Sequence, residues 1–170
     1  MATVTFNGKT LHLEGTLPKV GEKAPDFHLI APDLRMMSLE DFKGKVVVLA
    51  VVPSLDTPVC DLEGRHFNER ASQLSPKTQI IMVSRDTPFA QKRWEESTGS
   101  SRILTLSDYR DGEFGRQYGV LIEELKLLAR AVFVIDETGI LTYCQLVPEI
   151  AQAPDYEPVL QAVHAALEGK

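Results

Sequence analysis

The stretch "KVVVLAVVP", residues 45–53, is an unbroken run of β-branched and aliphatic residues closed by a proline. Such a run has no polar face, so as a strand it must be covered on both sides and belongs in the middle of a layered sheet. Three shorter runs of the same kind follow: "TQIIMVS" at 78–84, "RILTL" at 102–106 and "AVFVID" at 131–136. After the last, "DETG" turns the chain into "ILTYCQLV", which predicts an antiparallel hairpin at the end of the sheet.

Helical sequence separates these strands. Helices are expected over 60–74, over 88–97 with Thr87 as cap and Pro88 in the first position, and over 111–118. A last helix begins after Asp155, with Tyr156, Val159, Leu160, Val163 and Leu167 on one stripe. Ahead of the central strand, Val4, Phe6, Leu11 and Leu13 alternate around Asn7-Gly8, a two-residue hairpin turn. An extended piece near 27–30 and a helical turn capped by Ser38 complete the N-terminal part. The expected fold class is therefore α/β: a mixed central sheet flanked by helices, with an N-terminal β-hairpin, similar to the thioredoxin layout.

A chain of 170 residues, 44% of them hydrophobic, holds one sizeable core and is short for two, and it has no repeat or linker. One domain over 1–170 is expected. The net charge of −6 argues against a nucleic-acid partner or a basic membrane patch. The opening "MATVTFNGKTLHLEG" lacks the basic-then-apolar pattern of a leader, and there is no apolar run long enough to span a bilayer. Two cysteines cannot build a disulfide framework, which points to a reducing, cytoplasmic setting where thiols stay reduced.

Cys60 then becomes the residue to explain. It follows the central strand, at the carboxyl end where open α/β sheets place their ligands. It also begins a helix, where unpaired N–H groups and a partial positive charge favour thiolate over thiol. Thr57 offers a hydroxyl to a sulfur anion or a substrate, and Pro53 fixes the chain and shields the sulfur. No cation lies nearby in sequence. Each residue also has a plain structural reading: Cys60 as filler, Thr57 as a turn or cap residue, Pro53 as a strand terminator. His66, six residues on, falls about 240° around a helix from Cys60 and faces away from it. His12, His28, His66 and His164 show no metal-ligand spacing, and neither "NGKT" nor Gly112, Gly115 and Gly119 complete a phosphate-binding motif.

Pro53, Thr57 and Cys60 match the P-x-x-x-T-x-x-C motif of the peroxiredoxins, and the chain resembles their thiol peroxidase subfamily. The resemblance extends through "VPSLDTPVC" at 52–60, "DTPFAQKRW" at 86–94, "TLSDYRDGEFGRQYGV" at 105–120, "ARAVFVID" at 129–136 and "PDYEPVL" at 154–160. It implies a thioredoxin-like fold and a peroxidase, without cofactor or metal, that reduces hydrogen peroxide and organic hydroperoxides. Cys60 would be the attacking cysteine, oxidised to a sulfenic acid. Arg130 would supply the missing cation, holding the thiolate and polarising the peroxide, against the plainer reading of a surface ion pair. A homodimer is also implied.

The sequence departs from this family at Glu95. Most members carry a resolving cysteine directly after the Arg-aromatic pair, whereas here the segment reads "KRWEES". The remaining cysteine, Cys144, lies in an expected strand interior and reads as a packing residue, with a resolving or redox role as the alternative. The cycle expected is thus of the 1-Cys kind, with the sulfenic acid reduced by thioredoxin or another external thiol through a mixed disulfide. A thioredoxin-type oxidoreductase would need C-x-x-C, but Cys60 is followed by Asp61, Leu62 and Glu63. A peroxide-sensing switch or binding module using the same cysteine without turnover is the alternative.

Overall fold

A computed structural model describes residues 2–71, 74–99 and 102–168. The run at 45–53 forms strand β5 (Val46–Val51), every residue of which is buried. Its register explains the lack of a polar face. Val47, Leu49 and Val51 enter one core with Phe27, Phe114 and Phe133, while Val46, Val48, Ala50 and Val52 enter a second with Phe67, Trp94 and Val163.

Strands β6 (Thr78–Ser84) and β7 (Ile103–Ser107) continue the sheet in parallel on one side of β5. On the other side, β9 (Ala131–Ile135) and β10 (Leu141–Leu146) add antiparallel. Two short strands, β3 (His28–Ile30) and, at the edge, β4 (Met36–Ser38), complete a mixed seven-stranded sheet of order β10-β9-β5-β6-β7-β3-β4. Burial covers both faces of its centre, as the sequence of β5 demands.

The hairpin of β1 (Thr3–Phe6) and β2 (Lys9–Glu14) turns at Asn7 and Gly8, both at positive φ (51° and 84°), the geometry of a tight primed turn. β2 also pairs with a two-residue strand, β8 (Leu121–Ile122), which makes a second, three-stranded sheet. Ser38 precedes a 3-10 turn over Leu39–Phe42, and its backbone N–H donates to Asp41 at 2.8 Å.

Four α-helices are described: α1 (Pro58–Ala71), α2 (Pro88–Thr98), α3 (Glu113–Gln117) and α4 (Tyr156–Leu167). Thr87 caps α2 by accepting from the Ala90 N–H at 3.2 Å, Pro88 follows, and Gly99 ends the helix at φ 66°. α1 differs from its expected span. It starts two residues before Cys60, and the expected run to Leu74 crosses residues 72 and 73, which lie outside those described. α3 is shorter than expected because Gly112, at φ 72°, lies outside the helical region and sets its start; Phe114 and Gly115 then donate to Asp108 at 3.2 and 2.9 Å. Asp155 stands at the cap of α4 without bonding through its side chain; the Gln145 amide holds its backbone on both sides.

Candidate active site

The loop leaving β5 builds the site. Val52 extends the sheet through its N–H to Val83, and Pro53, buried, ends it because it has no N–H to donate. Thr57 is the N-cap of α1: its carbonyl accepts from the Asp61 N–H at 3.0 Å and its hydroxyl oxygen from the Cys60 N–H at 3.2 Å. The same hydroxyl donates to the Ser54 carbonyl at 3.2 Å. In this arrangement Thr57 caps the helix and gives its proton to the loop. Pro58 takes the first helical position, which its fixed φ suits. Cys60 is the third helical residue, inside the first turn and fully buried.

Arg130, the residue before β9, reaches Glu63 on α1. Its Nε and Nη2 both donate to the Ile150 carbonyl, at 3.1 and 2.9 Å, and Nη1 donates to Glu63 Oε1 at 2.9 Å. The ion-pair reading of Arg130 is therefore right in kind and wrong in place, because both partners are buried. A pair buried on both sides keeps its geometry through directed bonds, and the guanidinium fork suits that task. The Ile150 carbonyl is itself fixed from the N-terminal hairpin: Ile150 donates to the Thr5 carbonyl at 2.9 Å, and Glu149 accepts from Thr5 and Gly8.

Glu63 was not singled out by sequence, although three residues after Cys60 puts it on the same helix face. Burial lifts its carboxyl from 4.5 to about 7, with the Arg130 charge and hydrogen bond pulling in the opposite direction. Its Oε2 is buried and has no hydrogen-bond partner among the described residues. Tyr156, the first residue of α4, was also missed as a site residue. Its hydroxyl is raised to about 12, first by burial, then by negative charge on Glu63 and Cys60, with Arg130 lowering it. One hydroxyl thus senses Cys60, Glu63 and Arg130 together. His66 stacks on the Tyr156 ring with centroids 3.8 Å apart.

The helix also docks sideways. The Trp94 indole N–H on α2 donates to Asp61 at 3.0 Å, and Gly64 lets the ring approach so closely that a Cβ there would collide with Trp94 Cζ2. Glu95, where the family commonly has a thiol, turns onto β7, where Oε1 accepts from the Thr105 N–H at 3.3 Å and hydroxyl at 2.9 Å. Cys144 lies on β10 opposite Phe133, partly buried, and burial pushes its thiol pKa up.

Comparison with known proteins agrees with this geometry. The family model described as Redoxin matches residues 19–160. A thiol peroxidase of Oceanobacillus iheyensis is 51% identical over 160 residues, covering 94% of this chain and 97% of that one. A thiol peroxidase of Bacillus subtilis is 45% identical over 168 residues, covering 99% of this chain and all of the other. Among solved structures, a peroxiredoxin-like protein from Aquifex aeolicus superposes with a TM-score of 0.91 at 40% identity, over 98% of both chains. A thiol peroxidase from Chromobacterium violaceum, at 21% identity and a TM-score of 0.89, shares the fold over 99% of this chain and 98% of its own. The chain belongs to the Redoxin family and, within it, to the thiol peroxidase subfamily of the peroxiredoxins.

Proposed function

We propose that this thiol-dependent peroxidase reduces hydrogen peroxide and organic hydroperoxides with Cys60 as its nucleophile, in a 1-Cys cycle completed by an external thiol. The Cys60 thiolate attacks the terminal oxygen of the hydroperoxide. An S–O bond forms, the O–O bond breaks, sulfur gives up two electrons, and the departing alkoxide takes a proton to leave as an alcohol or water. A first thiol then displaces water from the sulfenic acid to form a mixed disulfide, and a second releases Cys60 as a thiol.

The observation that carries this reading is a cysteine buried in the first turn of α1 beneath the Thr57 cap, with the buried Arg130–Glu63 pair anchored three residues further along the same helix. Negative charge spreads from sulfur to the leaving oxygen as the bond breaks, and fixed donors aimed at it are worth most where water is excluded. Arg130 supplies such charge. A turn of the Thr57 O–H bond away from Ser54 supplies a second donor, while Pro53 keeps water from the sulfur. Cys144 stays out of the cycle, and thioredoxin or a small thiol serves as reductant. The protein works as one domain and a homodimer in the cytoplasm, without binding nucleic acid or membrane.

The test is NADPH-coupled peroxide consumption with thioredoxin and thioredoxin reductase, for the wild type, Cys60→Ser and Cys144→Ser. Turnover by the wild type and Cys144→Ser, with none by Cys60→Ser, is expected. Consumption of one equivalent without recycling would mark a peroxide-sensing switch instead.

A further inference from the structure

The loop that presents Cys60 is held by a residue outside the motif. Asp86, just past the end of β6, accepts from the Ser54 hydroxyl at 2.7 Å through Oδ1 and from the Leu55 N–H at 2.8 Å through Oδ2. Ser54 in turn offers its carbonyl to the Thr57 hydroxyl, and Thr57 Oγ1 accepts the Cys60 N–H. A continuous run of hydrogen bonds therefore joins Asp86 to the backbone of the reacting cysteine.

Asp86 is itself locked. Its Oδ2 takes the Ser84 hydroxyl at 2.7 Å, its N–H donates to Ser84 Oγ at 3.3 Å, and its carbonyl accepts from the Ser107 hydroxyl. Gln91, fully buried on α2, clamps the group by donating to Ser84 Oγ at 3.1 Å and to the Leu106 carbonyl at 2.9 Å. The ends of β6 and β7 and the first turns of α2 thus form a rigid base for a loop with no sheet partner of its own.

We propose that Asp86 is a positioning residue for the peroxidase reaction: through Ser54 and Thr57 it sets the direction in which the first turn of α1 presents Cys60 to an incoming hydroperoxide. This rests on the peroxidase reading above. Displacement at a peroxide oxygen requires sulfur, both oxygens and the donors to be aligned, and a misplacement of about 1 Å can cost on the order of 100-fold in rate. Alkylation by iodoacetamide needs the same thiolate and access to the same buried sulfur, but no donors aligned on a leaving oxygen. Asp86 should therefore govern the first reaction far more than the second.

Second-order rates with hydrogen peroxide and with iodoacetamide, measured on the wild type, Asp86→Ala and Asp86→Asn alongside thermal melts, test this. Asp86→Ala removes both acceptors, and its peroxide rate should fall about 100-fold while alkylation stays within about threefold. Asp86→Asn keeps one acceptor for Leu55 and lets the serine hydroxyls turn, so it should lose only about tenfold, a partial rescue at similar size. It also keeps the test open if the alanine variant does not fold. Either folded variant reacting with peroxide within about twofold of the wild type, or losing both rates equally, overturns the proposal. A wild type no faster with peroxide than free cysteine overturns the peroxidase reading, and this one with it.

Discussion

Cys60 and Cys144 face opposite sides of the same seven-stranded sheet. Cys60 packs in the core under α1 and α4 with Val48, Val132 and Val163, whereas Cys144 packs against the other core with Leu49 and Phe133. Strand β9 and its neighbours stand between them, and a disulfide needs Cα atoms within about 7 Å. Peroxide-treated protein, blocked and mapped by mass spectrometry, should carry sulfenic or mixed-disulfide Cys60 and no Cys60–Cys144 bond. Cys144→Ser should keep peroxide turnover within about twofold. A dominant intramolecular disulfide would require the sheet to open during catalysis.

Trp94, the chain's single tryptophan, reports on Cys60 through its bond to Asp61, the next residue. Because Cys60 is fully buried, an external thiol reaches its oxidised sulfur only if the first turn of α1 opens, and that opening displaces Asp61. One equivalent of peroxide without reductant should shift Trp94 emission on the time course of thiol loss, and Cys60→Ser should show no shift. Unchanged emission beside complete sulfenic acid formation would mean that oxidation leaves the α1–α2 contact closed.

The strands and the motif were legible because their information is local. β5 to β7 and β9 are apolar runs, β10 follows a readable turn, and Pro53, Thr57 and Cys60 lie within eight residues. Edge strands β4 and β8, three and two residues long, show no periodicity to read. Thr87 and Pro88 mark the start of α2, and the same Thr-Pro pair at 57–58 starts α1 earlier than the position of Cys60 suggested. Glu63, Tyr156, Ile150 and Asp86 escaped for a different reason: each joins the site through folding, from a helix face, a loop or a strand end whose meeting no single segment encodes. Arg130 needed the family likeness to stand out, since nothing in "LLARAVF" announces a buried guanidinium.

Glu95 accepts from two donors of a buried β7 residue. The Thr105 side chain is buried, and its N–H and hydroxyl both end on Glu95 Oε1. Glu95→Ala should cost on the order of 1–3 kcal/mol, the usual penalty for orphaned buried donors, while Glu95→Gln keeps an acceptor and loses less. Urea unfolding of both variants measures this. Equal midpoints would show that water replaces the carboxylate.

Glu63 should tie stability to pH through its contact with Arg130. Its carboxyl is raised from 4.5 to about 7 chiefly by burial, so the folded protein holds that proton more tightly than the unfolded chain does. The stabilisation this gives is complete below the unfolded value and is lost as pH rises through about 7. Asp108, raised to about 6 by burial, acts in the same direction, so the wild-type slope alone does not isolate Glu63. Glu63→Gln isolates it, because the amide still accepts from Arg130 Nη1 but cannot ionise. Between about pH 5 and pH 8 the variant should lose roughly 3 kcal/mol less than the wild type in urea unfolding. Parallel profiles for the two proteins would mean that Arg130 holds Glu63 charged across the whole range, and that the buried pair is a fixed ion pair and not a titrating one.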